Sequence, residues 1–254
     1  MVALKRIYSV CLAVLVFGNM ALIGHAGIIA HLRFDDTLDD EVGNYSNAPM
    51  GAGTVEYDND GIADECLELF GTNGIPGIEC LSDNTIGFEQ ITVSVWYKLK
   101  SEPPGYGTLF DYTPWSEQKN MTFDFRPNLW LYSGNVGFGA ESRTLDTWYH
   151  AAFVCHYIGA GNVTGTVYWN ESSVSYVRTW GDRQPHPMDH LTIGSEKGIP
   201  ERTIDGYIDD VQIYDFALGD ELIAELRENP GEVVIPEPAC MVVALLSLLI
   251  LKRR

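Results

Sequence analysis

Apolar side chains recur at every second residue along this chain, and that period limits the fold more than any other feature. Ile91, Val93, Val95 and Tyr97 alternate with Thr92, Ser94, Trp96 and Lys98, and Ala30, Leu32 and Phe34 alternate with His31 and Arg33. Residues two apart on a strand share a face, so each run offers one apolar face to a core. Further strands are expected at 66–71, 77–81, 107–112, 120–126, 129–132, 147–157, 163–169, 173–180, 190–194 and 205–214. Turn clusters at 101–107, 159–162 and 181–187 separate them. A helical period occurs near the end, in ALGDELIAELREN, where Leu222, Ile223 and Leu226 form a stripe and Asp220 and Glu221 suit a helix N-terminus. Many short strands and one short C-terminal helix predict an all-β fold, a sandwich of two antiparallel sheets.

The two ends read as targeting segments. Residues 1–26 carry Lys5 and Arg6, an apolar run and Gly24-His25-Ala26, a small-residue cleavage site, and are expected to be a signal peptide; an uncleaved anchor is the alternative. Residues 236–254 carry Pro236-Glu237-Pro238, an apolar run from Ala239 to Leu251 and the terminal Lys252-Arg253-Arg254. This order resembles the PEP-CTERM sorting signal of Gram-negative bacteria, in which such a box is read by an exosortase-type processing enzyme. The resemblance implies transient anchoring in the inner membrane and a mature protein at the cell surface or outside the cell. A plain tail anchor is the alternative, since the run is shorter than the roughly twenty residues that cross a bilayer. Residues 229–235 read as a linker between domain and box.

Charge and cysteines narrow the partners. A formal net charge of -19, with no basic run outside the ends, excludes nucleic acid. Cys11 and Cys240 fall in the two targeting segments, leaving Cys66, Cys80 and Cys155. CLELFGTNGIPGIEC reads as two strands around a turn, so a Cys66–Cys80 disulfide across a hairpin is expected; Cys155 is expected as a buried free thiol.

In IDDVQIYD, residues 208–215, strict alternation puts Asp209 on one face with Val211 and Ile213, and Ile208, Asp210, Gln212 and Tyr214 on the other. A carboxylate on a core face needs a wet strand end or a positive partner. The pieces AHLRFDDTLDDEVGN, ITVSVWYK, TWYHAAFV, GTVYWNESS, LTIGS and IDGYIDDVQIYDFALGDELIAEL, in this order, resemble the laminin-G-like, concanavalin A-like lectin and glucanase jelly rolls across residues 27–228. The resemblance implies a structural calcium ion held by Asp209 with Asp40 and Asn44 of the first loop, a hard-oxygen site. Glu171 after Asn170 departs from the family's Asn-Gly hairpin turn.

Catalysis finds no support in the pattern. The glucanases of this superfamily alternate two glutamates and an aspartate on one strand face; no Glu-x-Asp-x-x-Glu occurs here, nor a Gly-x-Ser-x-Gly elbow, a phosphate loop or a His-Glu-x-x-His pair. DNDGIADE, residues 58–65, lacks the bidentate glutamate of an EF-hand and reads as a solvated acidic loop. The histidines do not assemble a zinc site. Tyr112, Trp115, Trp130 and Trp180 lie in or beside loops and are the candidate stacking platforms for a sugar. The expected function is a secreted, surface-sorted binding module for a glycan or for a protein of the cell surface or extracellular matrix. The alternatives are a structural envelope protein and a glycoside hydrolase.

Overall fold

The computed structural model describes residues 27–69, 77–83, 89–103, 107–112, 121–125, 129–131, 136–137, 143–159, 162–179, 189–196, 199 and 202–235. The signal peptide and the Pro236-Glu237-Pro238 box therefore lie outside the described residues, as do Trp115 and Trp180. Among the described residues no helix is long and apolar enough to cross a membrane.

The period-two runs become strands in two antiparallel sheets. The larger sheet runs in the order β13 (Ser172–Thr179), β12 (Asn162–Trp169), β11 (Trp148–Gly159), β6 (Gln90–Leu99), β15 (Gly206–Tyr214), β4 (Cys66–Leu69) and β3 (Glu56–Asp58), with β1 (Ile28–Leu32) paired to the far end of β15. The smaller sheet runs β10 (Val136–Gly137), β9 (Leu129–Leu131), β8 (Met121–Phe125), β7 (Gly107–Tyr112), β14 (His190–Ile193), β5 (Ile78–Leu81) and β2 (Ser46–Pro49). Between them lies one core, in which Val93, Val95 and Tyr97 meet Phe110, Phe123 and Ile193. The β12–β13 hairpin closes in two residues, and Asn170, with φ of 50°, supplies the left-handed conformation that the Asn-Gly pattern would have supplied.

The helix α1 (Asp220–Glu228) packs on the opposite face of the larger sheet. Its Ile223 and Leu226 meet Ala152, Val154, Tyr168 and Tyr214 in a second apolar cluster, and the Tyr168 hydroxyl donates to Asp220 at 2.6 Å. The segment after it, expected as a linker, is part of the domain. Gly231 N donates to Asp210 Oδ2 at 2.9 Å, Gln212 Nε2 donates to the Glu232 carbonyl at 3.1 Å, and Val234 N donates to the Tyr214 hydroxyl at 3.3 Å. Val234 is 4% exposed. The polar outer side chains of β15 are what hold this strap down.

Strict alternation fails at one point of β15. The register with β6 runs Asp209 to Trp96 and then Gln212 to Ser94, so Asp210 and Val211 together face one residue, a β-bulge, and Asp210 has φ of 46°. The bulge places Ile208, Val211 and Ile213 together in the core. Asp209 thus lies on the outer face and not, as alternation predicts, beside Val211. Two further side chains hold the bulge: Asp210 Oδ1 accepts from Gln212 Nε2 at 2.7 Å and meets His31 Nε2 at 2.9 Å.

The expected disulfide is overturned. Cys66 and Cys80 are both free, as is Cys155. They do not face each other across a hairpin, because β4 belongs to one sheet and β5 to the other. Cys80 points into the core, whereas Cys66 turns to the outer face, where its thiol donates to the Asp58 carbonyl at 3.4 Å. Burial pushes the thiols of Cys66 and Cys155 up to about 12. Alkylation without reductant should therefore leave all three unmodified in the native protein and label all three after unfolding; mass mapping reads this directly. Asp210→Ala, which strips acceptors from His31, Gln212 and Gly231, should lower unfolding free energy by roughly 3 kcal/mol in urea titration.

Candidate functional site

The residues proposed to hold calcium are used otherwise. Asp40 accepts backbone N–H bonds from His31, Val42, Asn44 and Tyr45 at 2.8, 3.1, 2.9 and 3.1 Å. Asn44 Nδ2 donates to the Ile29 carbonyl at 3.0 Å. Together they cap the free side of β1. Asp209 accepts from Ile62 N, Ala63 N and Asp210 N at 2.8, 3.1 and 2.7 Å, in a different loop. Carboxylates whose lone pairs face N–H dipoles offer little to a cation, and among the described residues no three His, Cys, Asp or Glu side chains are grouped to hold a metal. Asp209, Asp40 and Asn44 as folded do not fit a calcium ion.

The acidic stretch 58–65 is likewise docked rather than merely solvated. Lys98 Nζ donates to Asp60 Oδ2 at 2.7 Å and lies 4.9 and 4.5 Å from the ring centroids of Trp148 and Tyr207. Trp148 Nε1 donates to the Asp60 carbonyl at 3.0 Å. The partner that Asp209 needed is thus a pair of backbone N–H groups brought over by this loop, which Lys98 holds in place.

Of the aromatic platforms, Tyr112 is lost to the core, where it is 4% exposed as the last residue of β7. Trp130 lies in β9, where its backbone pairs with Asp124, which pairs in turn with Thr108. Trp115 and Trp180 fall outside the described residues.

A polar surface is found instead on the side of the smaller sheet turned away from the core. On β14, Leu191 and Ile193 enter the core, which leaves His190 and Thr192 on the other side. Thr192 pairs with Glu79 of β5 and with Asp111 of β7, and His190 pairs with Leu81. His190 Nε2 meets Glu79 Oε1 at 2.8 Å, while Leu81 beside them is 47% exposed. Asp111 is buried, and the Thr192 hydroxyl donates to the Ser195 carbonyl at 2.6 Å. The arrangement sets an imidazole and a carboxylate beside an exposed aliphatic surface, the mixture that a sugar's hydroxyls and C–H faces require. Its signal in the sequence is the polar alternation in HLTIGS and GIECL, which is weaker than that of aromatic residues beside loops.

Electrostatics on the larger sheet give a pH dependence. Burial pushes the Asp209 carboxyl up to about 7; the N–H groups of Ala63, Ile62 and Asp210 pull it down, and the Asp210 charge pushes it further up. Burial also pushes His150, whose Nε2 is 2.8 Å from Ser94 Oγ, down to about 3. Asp209 in the folded protein thus holds a proton that the unfolded chain, with a value of about 3.9, has released, so its contribution to stability falls as pH rises from about 4 to about 7 and is level above that. The stability gap between the wild type and Asp209→Asn should narrow with rising pH by up to about 1.4 kcal/mol per unit, read from urea midpoints.

The Laminin_G_3 family, of the concanavalin A-like lectin/glucanases superfamily, matches residues 76–224. A search of the curated proteins returned no match. Among solved structures, domain 4 of AbnA, a GH43 extracellular arabinanase from Geobacillus stearothermophilus in complex with arabinotriose, has a TM-score of 0.55 at 20% identity, covering 80% of this chain and 99% of that one. The receptor binding domain of botulinum neurotoxin D has a TM-score of 0.59 at 16% identity, covering 80% of this chain and 53% of that one. The botulinum neurotoxin serotype D ligand binding domain in complex with N-acetylneuraminic acid has a TM-score of 0.56 at 16% identity, covering 82% and 52%. This chain spans about half of each toxin domain, and at these identities the likeness concerns the fold. With two antiparallel sheets around one core, a helix closing the larger sheet after IDDVQIYD and a family match over more than half its length, the chain belongs to the concanavalin A-like lectin/glucanases superfamily.

Proposed function

We propose that this domain is a glycan-binding module and that the sugar meets the smaller sheet at Glu79, His190 and Leu81. The observation that carries this reading is the His190–Glu79 pair beside exposed Leu81, on strands whose other faces fill the core. The arabinotriose and N-acetylneuraminic acid complexes of domains with this fold support it as a class. Binding without catalysis fits the same face, because Asp111 is buried and Glu79 is engaged by His190, so neither of these two described carboxylates is free to flank a glycosidic bond. Export by the N-terminal segment and sorting through the Pro236-Glu237-Pro238 box complete the reading: a binder delivered to the cell surface and released by an exosortase-type enzyme.

A broad glycan array probed with the protein tests the reading. Capture of a defined set of oligosaccharides is expected, and Glu79→Gln and His190→Ala should each weaken it about tenfold or more, with the melting temperature nearly unchanged. Absence of binding to any glycan would favour a structural envelope role. Steady release of reducing ends from a bound oligosaccharide would make the protein a hydrolase.

A further inference from the structure

The free edges of the two sheets are treated unequally. Strand β3 has three residues and carries Glu56 and Asp58, β2 has four and ends at Pro49, and β10 has two. The free side of β1 is capped by Asp40, Glu41 and Asn44, whose groups bond to His31 N, His31 O and Ile29 O. Charge, proline, shortness and a covering loop are the devices that keep a strand from pairing with another chain. Among the described residues none of them protects β13. It is eight residues long, pairs with β12 at every residue without irregularity, and from Ser172 to Val177 has no charged residue and no proline. Ser172, Ser173, Val174, Ser175 and Val177 are all exposed, Val177 at 69%.

The outer face beside this edge is as neutral as the edge itself. Thr164 and Thr166 of β12 lie next to Val177 and Ser175 of β13, and Ile158 at the end of β11 is 54% exposed. In a chain of net charge -19, a strip three strands wide without a carboxylate is where another molecule of the same chain can approach without like-charge repulsion.

We propose that β13 pairs antiparallel with β13 of a second copy, joining two larger sheets into one. A two-fold axis normal to the sheet keeps the two outer faces on the same side, so the residue at the axis faces its own copy. That residue is Val174 or Ser175. With Val174 at the axis, Ser172 to Tyr176 meets its counterpart and Val177 lies opposite Glu171; with Ser175 there, Ser173 to Val177 does so and Ser172 lies opposite Arg178, and in neither register is a carboxylate opposed by another. A copy brings a strand of the same length, neutrality and twist, which a foreign segment would have to match by chance.

Sedimentation velocity of the full chain in mild detergent, from about 1 to about 100 µM, tests the pairing, with hydrogen exchange of the β13 amides followed over the same range. A monomer–dimer equilibrium is expected, with exchange of β13 slowing as dimer forms. Ser175→Lys, which sets two like charges beside the axis in either register, should weaken the dimer at least tenfold and leave the melting temperature unchanged, because Ser175 is exposed. Val174→Lys, also at an exposed position, should act likewise. Association through any other surface, the apolar tail included, persists in these variants, so a dimer indifferent to both overturns the proposal. A monomer at every concentration overturns it too, as does a monomer whose β13 is taken by a foreign extended peptide.

Discussion

Asp210, held in the left-handed conformation by its own carboxylate, is the point on which the larger sheet's outer face depends. Its φ of 46° inserts one extra residue into β15 and rotates everything before it by one face. Without it, Asp209 would enter the core beside Val211. With it, Asp209, Asp210, Gln212 and Tyr214 become a polar strip on the outer face, and the rest of the chain is organised around that strip. The 58–65 loop brings two N–H groups to Asp209, β1 brings His31 to Asp210, and the strap after α1 bonds in turn to Asp210, Gln212 and Tyr214. The buried polar groups therefore have partners drawn from three separated segments, and each partner is positioned only when the others are.

The fold was legible in the sequence because period two is enforced by burial. A strand such as β6, apolar at 91, 93, 95 and 97, has one face that can meet a core, and tertiary structure cannot reverse it. The helix was legible for the same reason. What escaped was everything that depends on a break in the period. Nothing in IDDVQIYD marks position 210 as the bulge, because aspartate adopts the left-handed region at a modest cost and is common in strands without doing so. The hairpin expected around 66–80 failed for a related reason: a Gly/Asn/Pro turn shows that the chain reverses, not that the strands on either side pair with each other.

Residue type without position does not define a site. Tyr112 is an aromatic at a strand end, yet parity with Phe110 puts it on the core face of β7. His190 and Glu79 lie on different strands, and their 2.8 Å approach is created by the pairing of β14 with β5, which no local pattern encodes. Asp40 and Asn44 show the same ambiguity from the other side. A carboxylate and an amide spaced four apart in a loop suit a hard cation, but they suit the unpaired backbone of an edge strand equally well, and β1 needs that service.

The strap from Asn229 to Val234 changes what it means for the domain to be joined to anything after it. A module on a slack leash tumbles, and its binding surface faces every direction in turn. Here the last clamped residue is Val234, so any chain beyond Ile235 leaves from one fixed point, on the larger sheet and not on the face that carries His190 and Glu79. The point of exit and the His190–Glu79 pair thus lie on opposite sheets, so a group joined to the domain at that point would stand behind the proposed binding face and leave it uncovered.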